Sequence, residues 1–414
     1  AQRIVAIAIE PQTRPEASSG RVLFLLSIAE LLAMSLWFTG TAVLPQVTSI
    51  WHANLELSSW LTVAVQIGFS VGAIVFALFN VPDIFSPIKV LVVSAIAAAV
   101  ANAAFAMEAG NPLPAIMLRG ATGFFLAGVY PTGMKIIAGW FQKGRGLALG
   151  IMIGALSIGS ALPHAVNSVG GIPWRGVVLA GSGFALLGAL IVALAVHEGP
   201  FAMPQSRLHI SQIWEIARNR PLRLANFGYL GHMWELYSMW GWIAVIFAAS
   251  AGWPRLKYEA AAAAVIAVGI FGCIWAGAAS DRLQDYSASA RIGQRAKVTV
   301  IAMSVSSVCC VLAAAVFHHP VLLLLLALVW GVSIIADSAQ FSAIISEVAE
   351  KRYLGTALTM QTALGFLLTA VTIRAMAAIA QRFGWRWALA SMALGPLLGI
   401  WAMTGLMRGA EKNE

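Results

Sequence analysis

Ionisable side chains inside apolar segments are the residues of this sequence most able to do chemistry. The apolar run over residues 222–251 is long enough to cross a bilayer, yet it carries His232 and Glu235. An ionisable group in hydrocarbon costs a few kcal/mol unless it is paired or faces water. A helix would place both side chains on one face, with His232 about 15 Å from the start of the run. This spacing predicts a coupled pair that takes up and releases a proton.

Three further apolar segments each carry one charged residue: Glu30 in "SIAELLAMSLWF", Arg119 in "IMLRGATGFFLAG" and Asp337 in "GVSIIADSAQFSA". At 1.5 Å per residue, Glu30 lies about 12 Å from one face of the membrane and Arg119 about 10 Å from the other. The long guanidinium can bridge most of the remaining gap, so we expect a Glu30–Arg119 ion pair. Asp337 is assigned to the gate or the proton relay. The structural alternative is a set of static buried pairs that only hold helices together.

Neutral polar and aromatic residues in the same segments are candidates for binding a solute. We expect substrate contacts from Arg119 and His232 together with Trp37, Asn226, Tyr229, Trp240 and Gln361. For each tryptophan the alternative is core packing or lipid contact.

The composition identifies the class of protein. Of the 414 residues, 60% are hydrophobic and 10% charged, and the mean hydropathy is +0.83. Such a chain is typical of an all-α polytopic membrane protein, and its length leaves room for about twelve spanning helices. No nucleophile with a base partner, no metal-ligand cluster and no G-x-x-x-x-G-K-[ST] loop occurs, so neither an enzyme nor a cofactor or metal site is predicted. Cys273, Cys309 and Cys310 have no paired spacing that would indicate disulfides.

The net charge of +9 reflects membrane orientation rather than nucleic-acid binding. With the N-terminus inside, most Lys and Arg residues fall in loops on one side of the membrane. The positive-inside rule then places both termini in the cytoplasm, in the inner membrane of a bacterium. No removable signal peptide is expected in residues 1–20.

The chain is organised as two repeated halves. The sequence "GRGLALGIMIGAL" parallels "YLGTALTMQTALG", and "PWRGVVLAG" parallels "GWRWALASM", at offsets of roughly 200 residues. The prediction is a tail (1–20), a six-helix bundle (21–196), a cytoplasmic loop (197–221), a second six-helix bundle (222–408) and a tail (409–414).

Two loop motifs carry a family resemblance. "GAASDRL", with Gly277, Asp281 and Arg282 before a basic stretch, resembles the G-x-x-x-D-R gate motif of the major facilitator superfamily. The first-half copy in "NVPDIFSPIK" keeps only Asp83. The resemblance covers essentially the whole chain and implies twelve helices in two pseudo-symmetric bundles, with spans one, four, seven and ten around a central cavity. It also implies that these four residues act as a gate and that the Glu30–Arg119 pair takes part in proton coupling.

The function expected from these features is secondary transport of a small solute by alternating access. Symport with protons is favoured, because the fifth span lacks the proline of the family's antiporter motif. Arg119 would suit an organic anion. The family commonly works as monomers, which implies the same here. The alternatives are a multidrug antiporter, favoured by the aromatic residues of span seven, and a transport-inactive member acting as an assembly factor or sensor.

Overall fold

The structure is a computed structural model that describes residues 16–108, 111–141, 143–201, 210–282, 286–350 and 352–411. Most of these residues are helical, and none is in a strand. Most of the predicted N-terminal tail, part of the central loop and residues 412–414 lie outside the described residues.

The first half of the chain forms ten helices. They are α1 Glu16–Met34, α2 Thr39–Ala42, α3 Leu44–Trp51, α4 Leu55–Leu78, α5 Val81–Ile84, α6 Pro87–Glu108, α7 Pro112–Leu126, α8 Tyr130–Ala138, α9 Arg145–Ser168 and α10 Trp174–Ala195.

The second half begins with a short 3₁₀ turn, Ile210–Gln212, and continues through ten more helices. They are α11 Ile213–Arg218, α12 Arg220–Ala251, α13 Arg255–Ala267, α14 Gly269–Asp281, α15 Ala288–Ala315, α16 Pro320–Ala336, α17 Ser338–Val348, α18 Leu354–Phe383, α19 Trp385–Met392 and α20 Leu394–Glu411.

Within the described residues, ten helical segments are long and apolar enough to cross a membrane. Segments such as α7 with α8, or α13 with α14, count as one because only a short break separates their two helices. The interrupted segment α1–α3 and the helix α12, with its buried ionisable residues, are not among the ten. The chain is thus an all-α polytopic membrane protein, while the number of twelve spans stays a prediction.

Side-chain caps define where several helices begin. Asn54 accepts a hydrogen bond from the backbone N–H of Leu57, and Asn219 does the same for Leu222. Pro221 lies in the first turn of α12, where a missing N–H costs nothing. These caps satisfy backbone donors that a helix leaves free at its start.

Interruptions inside the membrane-spanning segments matter more for function. The first segment breaks between Met34 and Thr39, the fourth between Leu126 and Tyr130, and the tenth at Asp337. A broken helix leaves backbone carbonyls without partners, which hydrocarbon does not tolerate. Breaks of this kind are found where the backbone is buried in protein or lines a cavity.

The two halves pack against each other along two antiparallel helix pairs. In one pair α9 of the first half contacts α13 and α14 of the second, and in the other α4 contacts α18. We call the face near Arg145 and Asp281 the inner face, and the face near Glu56 and Arg255 the outer face. The predicted orientation would make the inner face cytoplasmic. The polar and aromatic residues considered below lie between these two helix pairs or near their ends.

Candidate functional site

Arg119 is fully buried and bonded to the interrupted first segment rather than to Glu30. Its guanidinium nitrogens donate to two carbonyls that the break after Met34 leaves free. The acceptors are Leu36 O (3.0 Å), Trp37 O (2.5 Å), Leu61 O (3.3 Å), Thr39 Oγ1 (2.9 Å) and Asn102 Oδ1 (2.9 Å). The expected Glu30–Arg119 ion pair is therefore wrong for this conformation. The depth estimate placed both residues near the middle of the membrane, but the helix break supplied nearer acceptors.

Glu30 lies on α1 with a side chain that is 1% exposed. Neither of its carboxyl oxygens has a hydrogen-bond partner among the described residues. A Cβ placed on Gly133 would lie 2.7 Å from Glu30 Oε2, so the glycine leaves room for the carboxyl group against α8. An unpaired carboxylate in such a place costs several kcal/mol, which favours the neutral, protonated form.

His232 pairs with Asp337 rather than with Glu235. His232 Nδ1 lies 2.8 Å from Asp337 Oδ1, and both side chains are buried. The contact lacks the angular geometry of a hydrogen bond, so Asp337 Oδ1 has no hydrogen-bond partner among the described residues. The other ring nitrogen, His232 Nε2, has none there either. Asp337 sits at the break between α16 and α17, which brings it to the same height as His232.

Glu235 faces into the second bundle, away from His232. Its Oε1 accepts hydrogen bonds from Ser306 Oγ (2.5 Å), Cys310 Sγ (3.0 Å) and Trp330 Nε1 (2.5 Å). The predicted His232–Glu235 pair is therefore wrong. Their separation by three residues puts both side chains on neighbouring parts of the α12 surface. Each side chain nevertheless contacts different residues on other helices. Glu235 ties α12 to α15 and α16.

A cluster of aromatic rings fills the centre of the molecule between the two halves. Trp37 lies 4.8 Å from Phe69, 5.6 Å from Tyr237 and 5.2 Å from Phe366, measured between ring centroids. Phe38 and Trp240 extend it, with 5.8 Å between their rings. We call these six residues the central aromatic cluster. All are nearly inaccessible to solvent, and three come from each half.

Polar atoms without partners occur in and near the central aromatic cluster. Within the described residues, Trp37 Nε1 and Trp240 Nε1 have no hydrogen-bond acceptor. The same is true of both amide atoms of Gln66 on α4 and of Gln361 on α18. Buried polar groups normally have partners, so these donors and acceptors are available to a bound molecule.

Two of the predicted substrate residues lie on α12 below the cluster. The Tyr229 ring packs against Gly365 of α18, where a Cβ would lie 2.3 Å from Tyr229 Cε1. Asn226 is half-buried and donates to Leu222 O of its own helix at 2.8 Å. Asn226 is thus already satisfied, unlike Gln361.

The loop motif of the second half joins the two bundles at the inner face. Asp281 accepts hydrogen bonds from the backbone N–H groups of Gly146 (3.2 Å) and Leu147 (2.8 Å) at the start of α9. A helix N-terminus favours a carboxylate through its unpaired N–H groups and its dipole. Gly277 allows the approach, since a Cβ there would lie 2.7 Å from Gly146 O. Arg282 is exposed beside this contact.

The motif of the first half is held within its own bundle. Asp83 forms an ion pair with Lys135, and Lys135 Nζ also donates to Pro82 O at 2.9 Å. The two copies of the motif therefore differ in geometry as well as in sequence.

Sequence reasoning missed several residues of this region. Phe69 and Gln66 lie on α4, which was not expected to line the site. Phe366 lies on α18, where only Gln361 was predicted. The glutamine in the apolar sequence "VAVQIGFS" was the one available signal. No role was predicted for His164, which is 0% exposed and contacts Glu259. Arg374 is partly exposed and pairs with Glu56 across the outer ends of α18 and α4.

The fold and the site define a helical membrane protein of two packed halves with buried ionisable groups near its centre. The sequence profile of the Major Facilitator Superfamily matches residues 25–288, and the chain belongs to that superfamily of membrane transporters. A comparison with curated protein sequences found no match.

Two solved structures share this fold along nearly the whole chain. One is a bacterial homologue of the human lysosomal transporter Spinster, inward-facing and unoccupied, with a TM-score of 0.69 and 13% identity over 97% of this chain and 99% of that one. The other is a bacterial Spinster homologue in an inward-facing, occupied conformation, with a TM-score of 0.66 and 14% identity over 95% of this chain and 98% of that one. At these identities the likeness establishes the fold alone.

Proposed function

We propose that the protein is a proton-coupled secondary transporter of a small solute, with the central aromatic cluster as the collapsed substrate site. The observation that carries the proposal is the buried Glu30 carboxyl group, which has no hydrogen-bond partner among the described residues. A group in this environment binds a proton when enclosed and releases it when its surroundings open to water. Alternating access supplies that change of environment in each cycle.

The contact between His232 and Asp337 is the second proposed proton site. It joins α12 to the break between α16 and α17, so its protonation state acts directly on the angle between two helix segments. A proton shared between the two side chains keeps the pair neutral and closed. Loss of that proton leaves a net negative pair, which hydrocarbon disfavours and water stabilises.

The chemistry of the cluster favours a solute with a flat or apolar body and a few polar groups. Aromatic side chains bind such bodies by stacking, and the unpartnered groups of Gln66, Gln361 and Trp240 can hydrogen-bond to their polar atoms. Arg119 was expected to attract an anion, but its guanidinium is occupied by five acceptors. The preference for an anion therefore loses its basis in this conformation.

Symport remains the proposed mode of coupling, because the antiporter motif of α9 is incomplete. Antiport is the second candidate, and the aromatic character of the cluster favours it because lipophilic compounds suit such a site. The bacterial inner membrane, cytoplasmic termini and a monomeric working unit complete the proposal.

The test uses purified protein, first in a thermal-shift screen of solutes and then in proteoliposomes. Aromatic or amphipathic solutes should raise the unfolding temperature, and a Gln361→Ala variant should lose that shift.

Under symport, a pH gradient that is acid outside the proteoliposomes drives accumulation of the binding solute, and a protonophore abolishes it. Under antiport, the same solute accumulates when the lumen is acid. A solute flux that is the same with and without the pH gradient would refute proton coupling. Solute binding without any flux would favour the transport-inactive alternative.

A further inference from the structure

A buried ionisable pair joins the two halves near the outer face and takes no part in the function proposed above. His164 Nδ1 on α9 lies 2.5 Å from Glu259 Oε2 on α13, and both side chains are 0% exposed. The residues are 95 positions apart in the chain and belong to different bundles. We call this contact the outer pair.

The outer pair ends a line of contacts that runs along the whole interface of α9. Nearer the middle, Ser157 Oγ donates to Ile266 O at 2.6 Å. At the inner face, Asp281 accepts from the start of α9. In alternating access the outer ends of α9 and α13 must separate for the protein to open outward. Of the contacts along this line, the outer pair is the one made by two titratable side chains.

The proton content of the outer pair follows from its surroundings. His164 Nε2 and Glu259 Oε1 are buried without hydrogen-bond partners among the described residues. If a neutral imidazole faced an ionised carboxylate, the pair would carry one net negative charge in a buried place. One additional proton makes the pair neutral, which a low-dielectric interior favours.

Few other charges act on the outer pair. On α13 itself the ionisable neighbours are Tyr258, Lys257 and Arg255, and no ion pair joins Arg255 to Glu259 within the described residues. Helices α2 and α16 carry no ionisable residue, and α10 carries only Arg175. The remaining ionisable groups on packed helices lie in their middle or inner parts. They are Glu16, Arg21 and Glu30 on α1, Tyr130 and Lys135 on α8, Arg145 on α9, Arg220, Arg223, Tyr229, His232, Glu235 and Tyr237 on α12, Cys273 and Asp281 on α14, and Glu347 on α17.

We propose that His164 and Glu259 form a third proton-binding site, which takes up one proton when the outer face closes and releases it to the outer solution when that face opens. The proposal rests on alternating access from the proposed function and not on coupling through Glu30 or His232. A histidine and a carboxyl group exposed to water at neutral pH hold no extra proton, since they titrate near about 6.5 and 4.3. Closure therefore binds a proton, and the closed state gains stability as the pH falls.

The test measures the distance between spin labels at Val169→Cys and Leu256→Cys in the full-length protein, without solute. Val169 is 74% exposed and Leu256 44%, and a Cβ at the neighbouring Gly170 would lie 3.4 Å from the Leu256 side chain. The labels therefore report a short distance when the outer face is closed. Between pH 8.5 and 7, the ratio of closed to open molecules should rise by about tenfold per pH unit, the slope for one proton.

Two variants should change the pH dependence of closure in different ways. In Glu259→Gln the amide oxygen accepts from a neutral imidazole, so closure needs no proton and the ratio should become independent of pH. In His164→Gln the carboxyl group alone must be protonated, so the rise should move down by about two pH units, the difference between imidazole and carboxyl. Glu56→Gln, at the exposed pair with Arg374 on the same face, is the matched control and should keep the wild-type slope.

The outcomes separate this proposal from the proposed function. A wild-type slope in a folded, monodisperse Glu259→Gln protein overturns the proposal that the outer pair binds a proton. Loss of the slope in Glu30→Gln or Asp337→Asn, with Glu259→Gln unchanged, also overturns it while leaving proton coupling intact. Loss of the slope in Glu259→Gln, with solute flux unaffected by the pH gradient, supports the outer pair and refutes the coupling proposed above.

Discussion

At the scale of single residues, the environment of each buried charge decides what it can do. Arg119 and Glu235 are held by several hydrogen bonds each, whereas the Glu30 carboxyl has none among the described residues. A group with full hydrogen bonding is stabilised in one state, while an unpartnered titratable group changes state when its surroundings change. This difference supports the proposed role of Glu30 in proton binding and a structural role for Arg119 in this conformation.

Replacing Glu30 with Gln should separate solute movement from proton movement. The amide mimics the protonated carboxyl, so solute exchange between two equal pools should continue. Accumulation driven by a pH gradient should fall to the equilibrium ratio. Counterflow and gradient-driven uptake in the same proteoliposomes measure the two activities.

The control for this variant is Glu108→Gln, at the exposed outer end of α6. It should leave both activities unchanged. Gradient-driven accumulation by Glu30→Gln at the wild-type level would contradict the role of Glu30.

Replacing Arg119 with Lys should destabilise the protein. The single ammonium group has three donors on one nitrogen and cannot reproduce the planar set of contacts, so carbonyls at the break in the first segment lose their partners. We expect a loss of about 3–5 kcal/mol and a clearly lower unfolding temperature in detergent. Arg175→Lys, at an exposed position, is the comparison and should change little. Equal unfolding temperatures for the two variants would contradict the structural role of Arg119.

At the scale of helices, glycines set how closely the two bundles approach. A Cβ at Gly277 would meet Gly146 O at 2.7 Å, which is closer than backbone atoms allow. A Cβ at Gly183 on α10 would meet no atom within 4 Å. The family's loop motif therefore acts here as a contact between α14 and the start of α9.

Gly277→Ala should hinder closure of the inner face without preventing folding. Overpacking of a tight contact costs about 1–3 kcal/mol, so transport should fall by about tenfold or more. Gly183→Ala should transport normally. Initial transport rates in proteoliposomes at matched protein content measure the effect. An unchanged rate for Gly277→Ala would show that the contact between α14 and α9 does not limit the transport rate.

At the scale of the whole molecule, the structure has both helix pairs in contact, with the aromatic cluster closed between them. Glu56 and Arg374 join the outer ends of α4 and α18, while Asp281 joins the halves at the inner face. The two faces must open in turn for a solute to pass, so each contact is broken at one stage of the cycle.

A reducible bis-methanethiosulfonate cross-link between cysteines at Glu56 and Arg374 should block transport reversibly. Arg374 Nη2 and Glu56 Oε1 lie 2.7 Å apart at the ends of two long side chains, so the shorter cysteines need a linker between them, and both positions are partly exposed to the reagent. Transport should be lost on cross-linking and restored by a reductant, while either single cysteine stays active under both conditions. Full activity of the cross-linked protein would contradict outward opening between α4 and α18.

Much of this architecture was already determined by the sequence. Hydrophobic runs of membrane length require spanning helices, because hydrocarbon leaves the backbone no other way to satisfy its polar groups. Ionisable residues inside those runs, such as Glu30, His232 and Asp337, marked the centre of the protein. The spacing along a helix also set the approximate height of each residue in the membrane.

The tertiary structure decided which of those groups meet. Height leaves the rotation of a helix and the identity of its neighbours open, so Arg119 and Glu30, at compatible heights, still do not pair. Breaks at Met34 and Asp337 follow from packing between helices and from local backbone satisfaction, neither of which a hydrophobic pattern encodes. The outer pair joins residues from different bundles, and only the packing of α9 on α13 brings them together.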